Sequence, residues 1–494
     1  MNHTKKKSLE ELFKQALKYH LNRKFNDALM LYKEILNINP NLHVIQNNLG
    51  LIYKELDKKK LAINFFKKAI TINSKYLEGY NNLGAIYNQL GEYENAINYS
   101  KQCIKIYSND VKSYHNLAYA FANIGKQKKA IELYNKVIDL DPKFVASYFN
   151  LGNIYYVQEK FEEAIKFYKK AININPLYFA PRIKLSHALL MLLRFDEGFK
   201  EYEWRIKNKP INVYQNLKLK SNLWNGENLN GKKILILSEQ GIGDTIQFAR
   251  YVYELKEKYN VEVIFRINKN LIHFFDNSKI NIISNKIRIP QHNYHIFLMS
   301  LPKYFYQREQ KLLKQYYYIK KNKKIFSHWQ KKLSIIKTPK IGINWQGSTL
   351  FRLDKIRSIP LILFEILFEI PGIEFISLQK DTGEEQITKF KYKNKLHNFA
   401  HYVDIGENSF EDTIEIIRNL DLVISPDSAI AHLASTLDIK TWILLPKRPS
   451  WRWFLKRNTT PWYKNTRLFR QKKSNDWMQV IKQVKATLIK EFKS

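Results

Sequence analysis

Cysteine is almost missing: Cys103 is the only one in 494 residues. A single thiol allows neither an internal disulfide nor a cysteine metal cluster. Long apolar runs are missing too. No stretch approaches the roughly 18 to 20 residues that span a bilayer, and the mean hydropathy is -0.43, so a soluble globular protein is expected. The opening MNHTKKKSLEELFKQAL is basic, lacks the apolar core of a secretion signal and turns at once into an amphipathic helix. A cytoplasmic location is expected. Acidic residues are scarce, 45 against 82 Lys and Arg, leaving a net charge of +37. Such charge invites nucleic acid. The lysines, however, are spread along the whole chain among many Asn and Ile residues. No recognition helix, RNP-like strand or zinc spacing accompanies them, so no nucleic-acid partner is expected. A weak attraction to anionic membrane surfaces or acidic partners stands on the same footing as nucleic acid.

Several catalytic motifs are absent as well. There is no GxxxxGK[ST] and no GxSxG. Gly241-Ile-Gly243 follows a strand, but the third glycine of GxGxxG would fall at Ile246, so the dinucleotide fingerprint fails. His292 and His295 have no cysteine or carboxylate companions, and no metal site is read there. Asp139-Leu140-Asp141 has the DxD form but reads as helix termination before Pro142.

What is present begins with a repeat. The chain is too long for one core, so two to four domains are expected. Alanine recurs at Ala28, Ala62, Ala96, Ala130 and Ala164, and an aromatic at Tyr19, Tyr53, Tyr87, Phe121 and Tyr155. Leu followed by a small residue recurs from Leu49-Gly50 to Leu185-Ser186, and Pro40, Pro142, Pro176 and Pro210 keep the same register. The pattern resembles the tetratricopeptide repeat (TPR), with copies at about 9–42, 43–76, 77–110, 111–144, 145–178 and 179–210. In each copy, small residues let two helices cross closely, and aromatics fill the space between them. Neighbouring copies then stack into a superhelix with a groove for something extended. The last copy is degenerate, with Gly198 in the alanine column and Arg182 in an aromatic one. It is expected to cap the array against the next domain through Phe195, Phe199, Tyr202 and Trp204. The tyrosines read as core. Asn48, Asn82, Asn116 and Asn150 could hydrogen-bond an extended chain or simply be solvated.

After Pro210 the period changes. Strands are expected at 233–238, 261–267, 295–299, 340–345, 373–378, 421–425 and 441–445, with a helix at 246–258 and a polar stretch at 304–340. Strands alternating with helices imply doubly wound parallel sheets, and two such sheets would face a cleft at their carboxyl ends. Asp421–Ser435 reads as a buried strand stopped by Pro426, then a helix whose N-cap types are Asp427 and Ser428. A helix starting there offers N–H groups to a phosphate, with His432 one turn on. The alternative is an ordinary strand–helix corner.

EQGIGDTIQFARYV, NWQGS, RSIPL, SLQK, LDLVISPDSAIAHLAS and WILLP…WRWFL…PWY…LFRQ occur in this order over residues 239–471. This series resembles bacterial TPR glycosyltransferases whose catalytic part is similar to lipopolysaccharide heptosyltransferases (glycosyltransferase family 9). More distantly it resembles the O-linked N-acetylglucosamine transferases. The resemblance implies a TPR superhelix at 1–210 followed by a GT-B module of two Rossmann-like halves. These are 211–335 on the acceptor side and 336–494, with a closing helix, on the donor side. It also implies no cofactor and no metal, with a nucleotide-diphosphate sugar as co-substrate and an acceptor protein or glycan in the TPR groove.

In this resemblance Asp244 is the base, on a loop with Gln240, Gly241 and Gly243; by residue type alone it is a helix cap. The donor would lie on Gln346, Gly347, Ser348, Arg357, Gln379, Lys380, Asp427, Ser428, Ala429 and His432, with Arg357 as cationic clamp and the Ser428 helix start as phosphate seat. Lys380 could instead be a surface lysine. Trp451, Arg452, Trp453, Trp462 and Tyr463 read as packing for the last helix rather than a stacking platform. Asp427-Ser428 stands where the family usually shows Asp-Thr, and Thr436-Leu437 replaces a more usual Gly-Ala pair, so donor choice stays open. The alternative function is a TPR adaptor whose GT-B module binds nucleotide sugar without turnover.

Overall fold

A computed structural model describes residues 8–207, 217, 219–306, 313–349, 354–406 and 409–492. Pro210 and the residues around the expected 210/211 boundary lie outside that set. The chain divides into two compact units, Met1–Ala188 and Leu189–Ser494.

The first unit is a series of helix pairs. The leading helices are α1 (Leu9–Leu21), α3 (His43–Glu55), α5 (Leu77–Leu90), α7 (Val111–Asn123) and α9 (Val145–Val157). Each packs on a follower: α2 (Phe25–Ile38), α4 (Lys59–Ile72), α6 (Tyr93–Ile106), α8 (Gln127–Leu140) and α10 (Phe161–Ile174). Both series advance by the 34-residue step of the sequence repeat. The alanine column is 0% exposed throughout, which is why no larger side chain fits at those crossings. The glycines act in the same way. A Cβ on Gly50 or Gly152 would come within 2.5 Å of the ring of Phe66 or Tyr168 on the follower helix. Those rings are buried completely, and one such phenylalanine contributes about 1.5–3 kcal/mol. Tyr53, Tyr87 and Tyr155 stack on Phe65, Tyr99 and Phe167 at 5.2, 5.6 and 5.3 Å. Most of these helices have no side-chain cap, so packing rather than local signals holds them.

The asparagine columns turn inward in part. Asn82 donates to Asn47 (2.8 Å), Asn116 to the Asn81 carbonyl (3.1 Å) and Asn48 to the Tyr32 hydroxyl (3.3 Å). Successive copies are thus stitched together by amides that the sequence offered to a ligand.

His115 sits against Tyr134 and Phe144, with ring centroids 5.5 and 5.0 Å away. Burial lowers its pKa to about 4. Between pH 6.5 and about 4 the unfolded chain takes up a proton that the folded repeat refuses, so stability falls as pH falls. The loss is about 3 kcal/mol at most, by the 1.4 kcal/mol per pKa unit. Urea unfolding across this window should show that slope, and His115→Gln should flatten it.

The second unit opens with a helix at Phe195–Tyr202. Phe195 and Phe199 meet Tyr306 at 4.2 and 5.9 Å, and Phe199 meets Trp451 at 5.7 Å. Residues expected to end the repeat array therefore pack within the sheet-bearing unit, and the divide falls at 188/189.

Two sheets follow. The first has β1 (Asn222–Leu223), β2 (Lys233–Leu237), β3 (Glu262–Ile267), β4 (Asn281–Ser284) and β5 (Tyr294–Phe297), in the order β1-β5-β2-β3-β4 and all parallel. The second has β6 (Lys340–Ile343), β7 (Glu374–Ser377), β8 (Leu396–Asn398), β9 (Leu422–Pro426), β10 (Thr441–Leu445), β11 (Thr459–Thr460) and β12 (Tyr463–Arg470). Its order is β11-β12-β10-β9-β6-β7-β8, parallel except for β11 against β12. β6 and β9 lie side by side, and the strand order reverses between them. Such a reversal leaves a crevice at the carboxyl ends, where open α/β sheets bind ligands.

Pro426 ends its strand as expected, as the last residue of β9, in register with Leu444. Three expectations change. The polar stretch at 304–340 contains a helix, Lys323–Leu333, which buries Trp329 and ties its indole N–H to Asp412 (2.8 Å). The helix expected at 246–258 starts four residues earlier. It runs Ile242–Phe248, breaks at Ala249 and resumes as Arg250–Lys258. The last helix, Trp477–Phe492, packs on the second sheet with Trp442 and Phe469 rather than on the tryptophans at 451–462.

Candidate functional site

The loop after β6, Asn344–Gly347, and the corner after β9, Pro426–Ser428, face each other across the reversal. Asn344, 3% exposed, is the hub between them. Its Oδ1 accepts from Ser425 Oγ (3.1 Å) and Ser428 Oγ (3.0 Å), and its Nδ2 donates to Gln379 Oε1 (2.7 Å). Ser428 is the N-cap of the helix Ala429–Thr436, its Oγ accepting from the Ala431 N–H. Two hydroxyls, one amide and a helix start are thereby locked into one geometry.

Arg357 closes the other side. Its Nη1 donates to the Asp427 carbonyl (2.8 Å) and its Nε to Asp354 (3.0 Å). A Cβ on Gly347 would come within 2.5 Å of Arg357 Nη2, so only glycine lets the guanidinium lie across the loop. Ser358 reinforces this, accepting from the Gly347 N–H (3.3 Å) and donating to Asp354 (2.8 Å).

Asp427 and His432 form the next layer. His432 is 4% exposed. Its Nε2 lies 3.5 Å from Asp427 Oδ1, its Nδ1 3.0 Å from the Tyr463 hydroxyl, and its ring stacks on Trp453 at 5.2 Å. Burial would raise the Asp427 carboxyl. The His432 hydrogen bond and the charges of His432 and Arg452 outweigh it and hold the group below the usual carboxylate range.

The first sheet reaches the same place. Gly241 is the N-cap of Ile242–Phe248 and Asp244 lies in the first turn, making no cap hydrogen bond, so the capping role is ruled out. Asp244 instead pairs with Arg452, an ion pair that joins the loop after β2 to the segment after β10. A Cβ on Gly243 would come within 3.0 Å of His432 Cδ2 and 3.7 Å of the Ala429 nitrogen, so this loop touches the helix start. Glu239 anchors it from below. Its side chain is 0% exposed, paired with Arg205 at 2.9 Å, and accepts from the Met299 N–H at 3.2 Å. Burial raises the Glu239 pKa, and Arg205 opposes that shift without cancelling it.

The structure thus gathers Gly243, Asp244, Gly347, Arg357, Asp427, Ser428, Ala429 and His432. Others stand apart. Gln379 was expected to contact a nucleotide, but its amide is used up inside the protein. Its Oε1 accepts from Asn344, Trp345 and Gln346, and its Nε2 donates to the Gln346 and Thr382 carbonyls. It shapes the β6 loop. Lys380 donates to the Val403 and Asp404 carbonyls (2.5 and 2.7 Å), so it is neither a free surface lysine nor turned to the crevice. Gln346 accepts from Gln386 (3.0 Å), while Ser348, Gln240 and Gly241 are exposed. Arg452 and Asn344 are the residues that sequence reasoning missed as site components. Arg452 was hidden among tryptophans that read as packing, and Asn344 stood unremarked inside NWQGS. Two cavities, of about 620 and 500 Å³, open elsewhere, beside the amino ends of β2–β4 and around His273 and Lys320–Lys323. Among the described residues no cluster of three His, Cys, Asp or Glu could hold a metal ion, and no helix is long and apolar enough to cross a membrane.

The family models that match lie in the first unit. Residues 44–76, 76–143 and 145–178 each match a model of the tetratricopeptide repeat, so the helix pairs there are TPRs. Protein FlbA of Caulobacter vibrioides is 23% identical over 294 residues, covering 54% of this chain. The chain spans about half, 48%, of that relative's length. Among solved structures, MamA is 27% identical, with 33% of this chain and 94% of that one covered and a TM-score of 0.30. YrrB, described as a TPR protein with an unusual peptide-binding site, is 22% identical, with 34% and 88% covered and a TM-score of 0.30. PilF of Pseudomonas aeruginosa is 16% identical, with 41% and 92% covered and a TM-score of 0.37.

Proposed function

We propose that this protein is a metal-independent glycosyltransferase. In this reading its second unit is a GT-B module, split near residue 335, that moves a sugar from a nucleotide-diphosphate donor to an acceptor hydroxyl. The TPR array binds the acceptor, a protein or glycan, in the cytoplasm. One observation carries the reading. A carboxylate from the first sheet, two arginines and a capped helix start converge at the strand-order reversal of the second sheet. Glycosyl transfer asks for a base at the acceptor hydroxyl and positive charge at the departing diphosphate. Asp244 supplies the first. Arg357, Arg452 and the N–H groups of Ala429–Thr436 supply the second without a cation.

A thermal-shift screen over nucleoside diphosphates and their sugars tests this. A ligand at a hundred times its Kd adds about 2.7 kcal/mol of stability, so one base should raise the melting point clearly, and silence across the panel would refute donor binding. Arg357→Ala should weaken that nucleotide about ten- to a hundredfold, the worth of a charge-assisted bond to phosphate. An unchanged Kd would remove Arg357 from the site. A second reading has its own support: Asp244 is already neutralised by Arg452. On that reading the protein is a TPR adaptor that binds nucleotide sugar without turnover.

A further inference from the structure

A general base needs a free carboxylate, yet Asp244 is ion-paired with Arg452. The arginine is held mainly from the second sheet. Its Nη1 donates to Ser450 Oγ (2.8 Å), and its guanidinium lies 5.5 Å from the Phe248 ring and 5.2 Å from that of Trp451. Its backbone carbonyl accepts from the Trp462 indole (2.7 Å). The side chain is 16% exposed, and its Nε, buried, has no hydrogen-bond partner among the described residues. The Asp427 charge also acts on Arg452, and Gly243, beside Asp244, touches the helix start that Ser428 caps. Arg452 is thus paired with the carboxylate on the loop that meets the expected phosphate seat, and it has a donor unspent.

We infer that Arg452 is a latch operated by the donor: it neutralises Asp244 in the empty site and transfers to the diphosphate when the nucleotide sugar binds, which switches the base on. This rests on the glycosyl-transfer reading. In the transfer, the acceptor oxygen bonds to the anomeric carbon and its proton passes to an Asp244 oxygen. The bond from the anomeric carbon to the phosphate oxygen breaks, and its electron pair leaves with the nucleoside diphosphate. The charge gained there is met by the arginine that Asp244 released. Premature use of the base, with water in place of the acceptor or before the donor is seated, is suppressed by the same pairing.

The latch makes Asp244 and the diphosphate rivals for one cation. Calorimetric titration of UDP, GDP, ADP and CDP into the full-length protein and its variants tests this. Asp244→Asn keeps size but frees Arg452, so the nucleotide that binds should bind about tenfold tighter. Arg452→Met should bind it about ten- to a hundredfold more weakly, and the double variant should match Arg452→Met. A structural ion pair would give no gain in Asp244→Asn, and an unchanged or weakened affinity in that variant, its melting curve intact, overturns the latch. If the wild-type protein binds a nucleotide and the variants bind it equally, the latch alone fails. If none of the four binds the wild type, the glycosyl-transfer reading falls with it.

Discussion

Asp244→Asn lowers turnover by about 10² to 10⁴, the range that general-base catalysis contributes. The substitution is small and well posed. Gly241, not Asp244, is the N-cap of Ile242–Phe248, so no cap is lost. The neighbouring hydrogen bonds of the loop, Ser238 Oγ to Thr245 Oγ1 (2.6 Å) and Thr245 Oγ1 to the Gly241 carbonyl (3.1 Å), do not involve residue 244. What disappears is the proton acceptor. Turnover should collapse while the melting temperature stays within a few degrees. Wild-type turnover in Asp244→Asn would remove the residue from the chemistry and require another base. Sequence alone put Asp244 and the diphosphate on different sheets and so made them independent. The pairing with Arg452 couples them, which is why nucleotide affinity is expected to move with turnover, and in the opposite sense.

The second large effect falls on stability. Asn344→Leu removes the hub on which Ser425, Ser428 and Gln379 converge, all three of them buried. A buried group left unpaired costs about 1–3 kcal/mol. Ser425 and Ser428 keep each other (2.8 Å), so the loss should be nearer two such groups than three, about 3 kcal/mol. Chemical denaturation followed by the tryptophans of the second unit should show it. Asn344→Asp, which keeps the acceptor for both serines but gives up the donor to Gln379, should fall between. An Asn344→Leu protein as stable as the wild type would mean that the network is water-accessible and does not set the corner.

The repeats were legible because their signal is redundant. Alanine, aromatic and Leu-small columns each carry the 34-residue step, and each has one steric reason. The strands with continuous apolar runs were legible too, from Lys233–Leu237 to Thr441–Leu445. Less visible were β8 and β11, of three and two residues, and β12, whose alternation of buried and exposed residues reads as loop after so many polar side chains. Pro426 was legible as well: proline is expected to end a ladder, and it is the last residue of β9. Within the site, motif spacing located the loops but could not tell which side chains face the crevice. Gln379 and Lys380 stand next to each other, and both turn to backbone carbonyls of loops in their own half. Arg452 was unreadable because its partner is 208 residues away, and only the packing of both sheets brings it to Asp244.

Release of nucleoside diphosphate from a panel of nucleotide sugars, in excess chelator, compares the wild-type protein with Asp244→Asn. The expected result is slow release from one donor by the wild type, unaffected by chelation and faster when the right acceptor is present, and about a hundredfold or more less by the variant. Release from no donor, or release that Asp244→Asn matches, would contradict glycosyl transfer at this site.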